Sequence, residues 1–162
     1  MSAVPILVSL VLLTLANGAP VVAKKVFRAH FACPLDAGLL LFDGRPLFGS
    51  SKTIRGIIVS IVATAIGAVF LGLDPERGAL VAVVAMVGDL LSSFLKRRLN
   101  FPPSSQAIGL DQVPESLFPL LACRDMLSLS YVDIVVAVWL FFVGELATSR
   151  ILYMLRLRDQ PY

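Results

Sequence analysis

Four stretches of 18–20 predominantly apolar residues, Val4–Ala23, Gly56–Leu73, Gly78–Leu95 and Val132–Ser149, limit what this chain can fold into. Each approaches the ~20 residues that an α-helix needs to cross a hydrocarbon core about 30 Å thick. Backbone N–H and C=O groups in lipid must be satisfied within the protein, which here favours helices. A fifth run, Val113–Cys123, is short and carries Pro114 and Pro119. It reads as a half-buried or broken helix, tolerated where protein or a cavity covers it. Composition agrees: 57% of residues are hydrophobic and 15% charged, against about 25% charged in soluble domains. The expectation is an all-α integral membrane protein of five transmembrane helices, the fourth short or broken, forming one domain over residues 1–162.

The basic residues predict orientation. Lys24, Lys25, Arg28, Arg45, Lys52 and Arg55 lie between the first two spans. Lys96, Arg97 and Arg98 follow the third, and Arg150, Arg156 and Arg158 close the chain. Only Arg77 and Arg124 fall on the other side of a five-span arrangement. The positive-inside bias then puts the N-terminus outside, and both long loops (about 24–55 and 96–112) and the C-terminus in the cytoplasm. The first span has no basic segment ahead of it, so it reads as a reverse-oriented anchor rather than a secretory signal. Its Asn17-Gly18-Ala19-Pro20 stretch reads as a helix break carrying a polar amide, fit for substrate or for satisfying a kink.

The first long loop, punctuated by Pro34, Gly38, Gly44, Pro46 and Gly49, is expected to be functional but without secondary structure. Asp36 and Asp43 within it read first as turn residues. The outer connections look merely connective. No internal repeat is visible, which weakens a transporter reading.

Asp89 sits inside the third apolar run, where a carboxylate costs roughly 2.5–3.5 kcal/mol and usually serves a function. Ser92, Ser93 and Lys96 follow on its helical face. Its bland alternative is an ion pair with Lys52, Arg55 or Lys96. Asp111, beside Gln112 at the mouth of the short fourth span, reads equally as a second cation ligand or as a turn residue. Lys52 and Arg55 precede the second span, where Ser50, Ser51 or Thr53 can cap the helix. A helix N-terminus with two basic residues makes an anion pocket, or simply an interfacial pair of snorkelling cations. Two carboxylates plus substrate phosphates suit Mg²⁺. The single histidine, His30, makes zinc improbable and reads as a surface residue. Glu145 reads as an internal ion-pair partner.

In order along the chain, Asn17-Gly18-Ala19-Pro20, Pro34-Leu35-Asp36, Phe42-Asp43-Gly44-Arg45, Gly49-x-x-Lys52-Thr53-x-Arg55-Gly56, Gly88-Asp89-x-x-x-Ser93-Phe94-x-Lys96-Arg97-Arg98, Leu110-Asp111-Gln112 and a final Arg158-Asp159-Gln160-Pro161-Tyr162 resemble the CDP-archaeol synthase family. The chain departs from that pattern at Ser50-Ser51, Ile54 and Pro114-Glu115. The resemblance implies a plasma-membrane cytidylyltransferase with its active site facing the cytoplasm. Its partners are CTP, a lipid phosphate and Mg²⁺, with no nucleic acid. It implies CMP transfer from CTP to an isoprenoid glycerol ether-lipid phosphate, or to another lipid phosphate such as phosphatidate, with release of pyrophosphate. Asp89 and Asp111 would be metal ligands. Lys52, Thr53 and Arg55 would hold nucleotide or pyrophosphate oxygens, and Lys96 and Arg97 would lie near the lipid phosphate. Asn17, Asp36, Asp43, Arg45, Ser93 and Gln112 complete the candidate substrate contacts. The rivals are a small cation or proton transporter using Asp89 and Glu145, and a non-catalytic adaptor whose basic loops bind anionic lipid.

Overall fold

In the computed structural model, residues 3–102, 105 and 107–154 are described, the side chains of 152 and 153 apart. Arg156, Arg158 and the terminal Arg158–Tyr162 motif lie outside the described residues, as do Pro103 and Ser104. Five helices follow in chain order: α1 (Ala3–Phe27), α2 (Ile54–Phe70), α3 (Pro75–Arg98), α4 (Gln112–Ala122) and α5 (Tyr131–Met154). Helices α2 to α5 pack in sequence, and α1 touches all four.

By length and composition α1, α3 and α5 can cross a membrane, while α2, with 17 residues, is a shorter apolar helix. At 1.5 Å per residue α2 spans about 26 Å, and α4 about 16 Å, half a hydrocarbon core. The outward face is apolar: Ile58, Val62, Ile66 and Phe70 form an exposed row on α2. The buried positions include Ser60, Thr64, Ser92 and Ser93 together with Ala16, Ala82 and Ala85. Small and hydroxylated residues inside with large apolar residues outside is the pattern of helices packing in lipid.

Two close passes follow from glycine. A Cβ on Gly78 would lie 2.4 Å from the Thr64 carbonyl oxygen, and one on Gly88 would lie 2.4 Å from that of Pro114. Only glycine lets α3 approach α2 and α4 so nearly.

The expected break at Asn17–Pro20 does not occur; α1 runs unbroken through Pro20. Proline lacks the N–H that would bond the carbonyl four residues earlier, here that of Ala16. Ser60 of α2 donates its hydroxyl to that oxygen at 2.7 Å, so the freed acceptor is satisfied. The same substitution recurs where Pro114 frees the Leu110 carbonyl: Ser92 Oγ donates to it at 2.7 Å.

The first long loop is folded rather than structureless. Antiparallel bridges pair Pro34 with Thr53 and Leu40 with Pro46. Leu35 N donates to Lys52 O at 2.8 Å, and Leu41 N to Arg45 O at 2.9 Å. Gly38 and Gly44 take positive φ angles of 80° and 72° at the turns, a conformation that costs glycine little. The outer connections also do more than connect. Arg77 pairs with Asp74 at 3.1 Å and donates to Met126 O at 3.2 Å, tying the two together.

Candidate functional site

Thr53 sits in extended conformation as the N-cap of α2, its hydroxyl accepting from Gly56 N at 3.1 Å. That cap fixes the residue before it, Lys52, at the loop end of the bundle. Lys52 Nζ reaches α3 and lies 2.5 Å from both oxygens of Asp89. The ion-pair reading of Asp89 therefore describes the resting geometry.

Glu115, in the first turn of α4, completes this centre. It is 6% exposed, and its carboxyl and that of Asp89 act on each other electrostatically. They come together because Gly88 lets the Pro114–Glu115 backbone lie directly against α3. Sequence reasoning treated Pro114-Glu115 only as a departure from a family pattern. The available signal was spacing: Glu115 stands four residues after Asp111, one helical turn away. Glu145 of α5 also acts on Glu115 electrostatically, which extends the acidic group to a third helix.

Asp111 forms the second half of the site. Its Oδ2 accepts from Ala107 N at 2.9 Å. Lys96 Nζ lies 2.7 Å from Oδ1 in an ion pair. Lys96 also donates to Ser105 O at 2.9 Å. The halves are electrostatically joined: Lys52 is acted on by Asp89, Glu115 and Asp111, and Asp89 by both Lys52 and Lys96.

Several buried donors here have no acceptor among the described residues. Arg97, 3% exposed, donates from Nη2 to Pro102 O at 2.9 Å, but its Nε and Nη1 are unpaired. Gln112 is fully buried; its Oε1 accepts from Gly109 N at 2.8 Å, and its Nε2 is unpaired. Unpaired buried donors are costly, about 1–3 kcal/mol each, and such groups beside lysines are what phosphate oxygens would satisfy. Ser93 is buried on α3.

Other sequence candidates lie elsewhere. Asn17 Nδ2 donates to Leu13 O at 3.1 Å, within its own helix. Asp36 accepts from the backbone N–H groups of Gly38, Phe48 and Gly49 at 2.9–3.1 Å. Burial pushes its carboxyl upward, but these donors outweigh that and hold it below the usual carboxylate range. Asp43 accepts from Arg98 Nη1 at 2.7 Å on each oxygen and from Arg45 N at 3.1 Å, while Arg45 Nη1 donates to the carbonyls of Arg97 and Arg98. Asp36 thus pins the loop internally, and Asp43 with Arg45 latches it to the C-terminal end of α3, where carbonyls lack helical partners. Arg55 does not share a pocket with Lys52. Its Nη1 donates to the carbonyls of Arg28 and His30, on the far side of the loop.

Mg²⁺ fits this donor set in a specific way. No three His, Cys, Asp or Glu side chains among the described residues close on one point, so the protein alone does not form a metal cage. Mg²⁺ is commonly held by one or two carboxylates plus substrate phosphates. Asp89 and Asp111, each paired with a lysine, would have to supply the carboxylate share.

A helix bundle that is apolar outside and holds acids, lysines and unpaired buried donors at one end defines a multi-pass membrane enzyme working on anions. The family described as "CarS-like: CDP-archaeol synthase" matches residues 75–162. A CDP-archaeol synthase of Pyrobaculum calidifontis is 36% identical over 156 residues, covering 91% of this chain and 90% of that one. One from Pyrobaculum arsenaticum is 34% identical over 152 residues, covering 91% of each. A solved structure of an intramembrane enzyme for archaeal membrane lipid biosynthesis superposes with a TM-score of 0.71 at 28% identity, covering 85% of this chain and 90% of that one. The chain belongs to the CDP-archaeol synthase family.

Proposed function

We propose that this enzyme transfers the CMP group of CTP to an archaeal ether-lipid phosphate, giving CDP-archaeol and pyrophosphate, at the centre built from Asp89, Asp111, Glu115, Lys52 and Lys96. The carrying observation is the pairing of that centre with the unpaired buried donors of Arg97 and Gln112, in a chain of the CDP-archaeol synthase family. Cytidylyl transfer to a lipid phosphate needs a site that grips several phosphate oxygens at once.

An oxygen of the lipid phosphate attacks the α-phosphorus of CTP. The new P–O bond forms as the bond to the β-phosphate breaks, and pyrophosphate leaves in line. No side-chain nucleophile is required, so the protein's work is positioning and charge neutralisation. Bound between carboxylates and phosphates, Mg²⁺ would neutralise the charge that develops on the transferring group. Asp89 and Asp111 would hold it. Lys52 and Lys96, which pair with those acids, would turn toward phosphate oxygens. Arg97 and Gln112 would donate to the same oxygens. Glu115 would act on Asp89 electrostatically.

In this reading residues 1–162 are one membrane-embedded domain in the plasma membrane, with α4 as a half-span and the N-terminus outside. The two long loops and the centre face the cytoplasm, where CTP is found. The charge asymmetry of the loops supports that orientation.

The test is incubation of the purified protein in lipid nanodiscs with labelled CTP, Mg²⁺ and a panel of lipid phosphates. CDP-lipid should form with the unsaturated ether-lipid phosphate, and Asp89→Asn should abolish it. Undiminished turnover by Asp89→Asn would remove the metal-ligand assignment. Absence of any CDP-lipid from the wild type would remove the function.

A further inference from the structure

A cavity of about 520 Å³ opens at the loop end of the bundle, between the end of α1, the start of α2 and the loop that joins them. That is within the range of small-molecule sites, roughly 300–1,000 Å³. Phe27, Phe31, Ile54 and Ile58 give it apolar walls, and Arg55 is its one charged lining residue. Phe31 and Ile58 are 80% and 56% exposed, so the cavity is open to the exterior of the bundle.

Arg55 is fixed there by the carbonyls of Arg28 and His30, while its Nε is buried and unpaired. Lys52, whose ammonium sits on Asp89, is only three residues earlier. Three residues span at most about 10 Å along the backbone, so the cavity and the acid–base centre are reached from one short stretch of chain. A nucleotide or pyrophosphate would satisfy the guanidinium and leave the walls wet. A hydrocarbon chain without a charge would do the reverse. Only an amphiphilic anion satisfies both.

We propose that this cavity receives one hydrocarbon chain of the lipid-phosphate substrate, and that Arg55 serves the phosphate end of the lipid rather than the nucleotide. The proposal rests on the lipid-phosphate cytidylyltransferase reading above, and it reassigns a residue that sequence reasoning had grouped with the CTP contacts.

The protein carries its own reporter. Cys33 lines the cavity and is exposed, whereas Cys123 is fully buried. The full chain is placed in phosphatidylcholine nanodiscs, and the rate of Cys33 alkylation by N-ethylmaleimide is followed by mass spectrometry. Doping with dialkylglycerol phosphate should slow alkylation several-fold; dialkylglycerol without phosphate, or CTP alone, should not. Arg55→Gln should raise the dialkylglycerol phosphate needed for protection about tenfold, the loss of one charge-assisted contact. Ile58→Trp, which fills the cavity from α2, should raise KM for the lipid phosphate and leave KM for CTP unchanged.

Unaltered alkylation with dialkylglycerol phosphate, or equal protection by dialkylglycerol, overturns the proposal. So does an Ile58→Trp enzyme impaired toward CTP alone. Protection needs no turnover, so the two readings separate. Protection without CDP-lipid formation removes the activity and leaves the lipid site standing. CDP-lipid formation without protection removes the lipid site alone.

Discussion

Replacing Gly88 by alanine tests whether the close pass of α3 and α4 holds the catalytic centre together. The added Cβ would lie 2.4 Å from Pro114 O, 2.6 Å from Pro114 C and 2.9 Å from Glu115 N. All three are backbone atoms, so no side-chain rotation relieves the clash. Restoring ordinary contact needs the helices to part by roughly 1 Å. Overpacking of this kind costs about 1–3 kcal/mol, offset by a gain of ~1 kcal/mol in helix propensity. The net loss should be ~2 kcal/mol at most. The effect on chemistry should be larger, because the displaced segment carries Glu115 and begins just after Asp111. A misplacement near 1 Å can cost about 100-fold in rate. Gly144→Ala in α5 is the matched control, since a Cβ there meets nothing within 4 Å. Thermal unfolding in detergent and CDP-lipid formation are measured for both variants. Gly88→Ala should unfold a few degrees lower with kcat down by about two orders of magnitude, and Gly144→Ala should match the wild type or exceed its stability. A Gly88→Ala enzyme with wild-type kcat would refute the argument that this contact sets the geometry of the site.

Asp89→Asn strands the Lys52 ammonium and should destabilise the protein by up to ~3 kcal/mol, the low end for breaking a buried pair because both side chains keep some exposure. Adding Lys52→Met should recover most of that stability in chemical denaturation and none of the activity; recovered activity would contradict the roles assigned. Asp36 has a lowered carboxyl pKa, so it stabilises the loop fully above its unfolded value of about 3.9 and loses that effect as pH falls through the lower folded value. Hydrogen exchange should show the Phe48 and Gly49 amides opening in that acid range, and Asp36→Asn should open them already at neutral pH. Ser60→Ala leaves the Ala16 carbonyl without a donor and should cost about 1–3 kcal/mol. Pro20→Ala in the same chain supplies the missing N–H and should cancel most of that loss in the unfolding midpoint.

The helices were legible because each apolar run had to be long enough for lipid, and the observed bounds of α3 (Pro75–Arg98) enclose the expected Gly78–Leu95. The capping role of Thr53 was legible too, since it depends only on a short polar side chain at a helix start. Contacts between helices were not. Pro20 looked like a break because the residue that rescues its orphaned carbonyl, Ser60, lies 44 positions away. Glu115 looked incidental because its partner, Asp89, is reached only through the gap that Gly88 leaves between two helices. Lys52 and Arg55, three apart, suggested one shared pocket, but Lys52 precedes the helix in extended chain, so helical spacing does not govern it. Local period predicts which residues share a face only when both lie inside one regular element. At a helix start the cap divides the two cations, sending Lys52 inward to the carboxylates and Arg55 outward to the loop carbonyls. That division sets Lys52 at the polar centre and Arg55 at the apolar-walled cavity, three residues apart in the chain, and under the proposals above it would let a soluble nucleotide and a membrane lipid meet there.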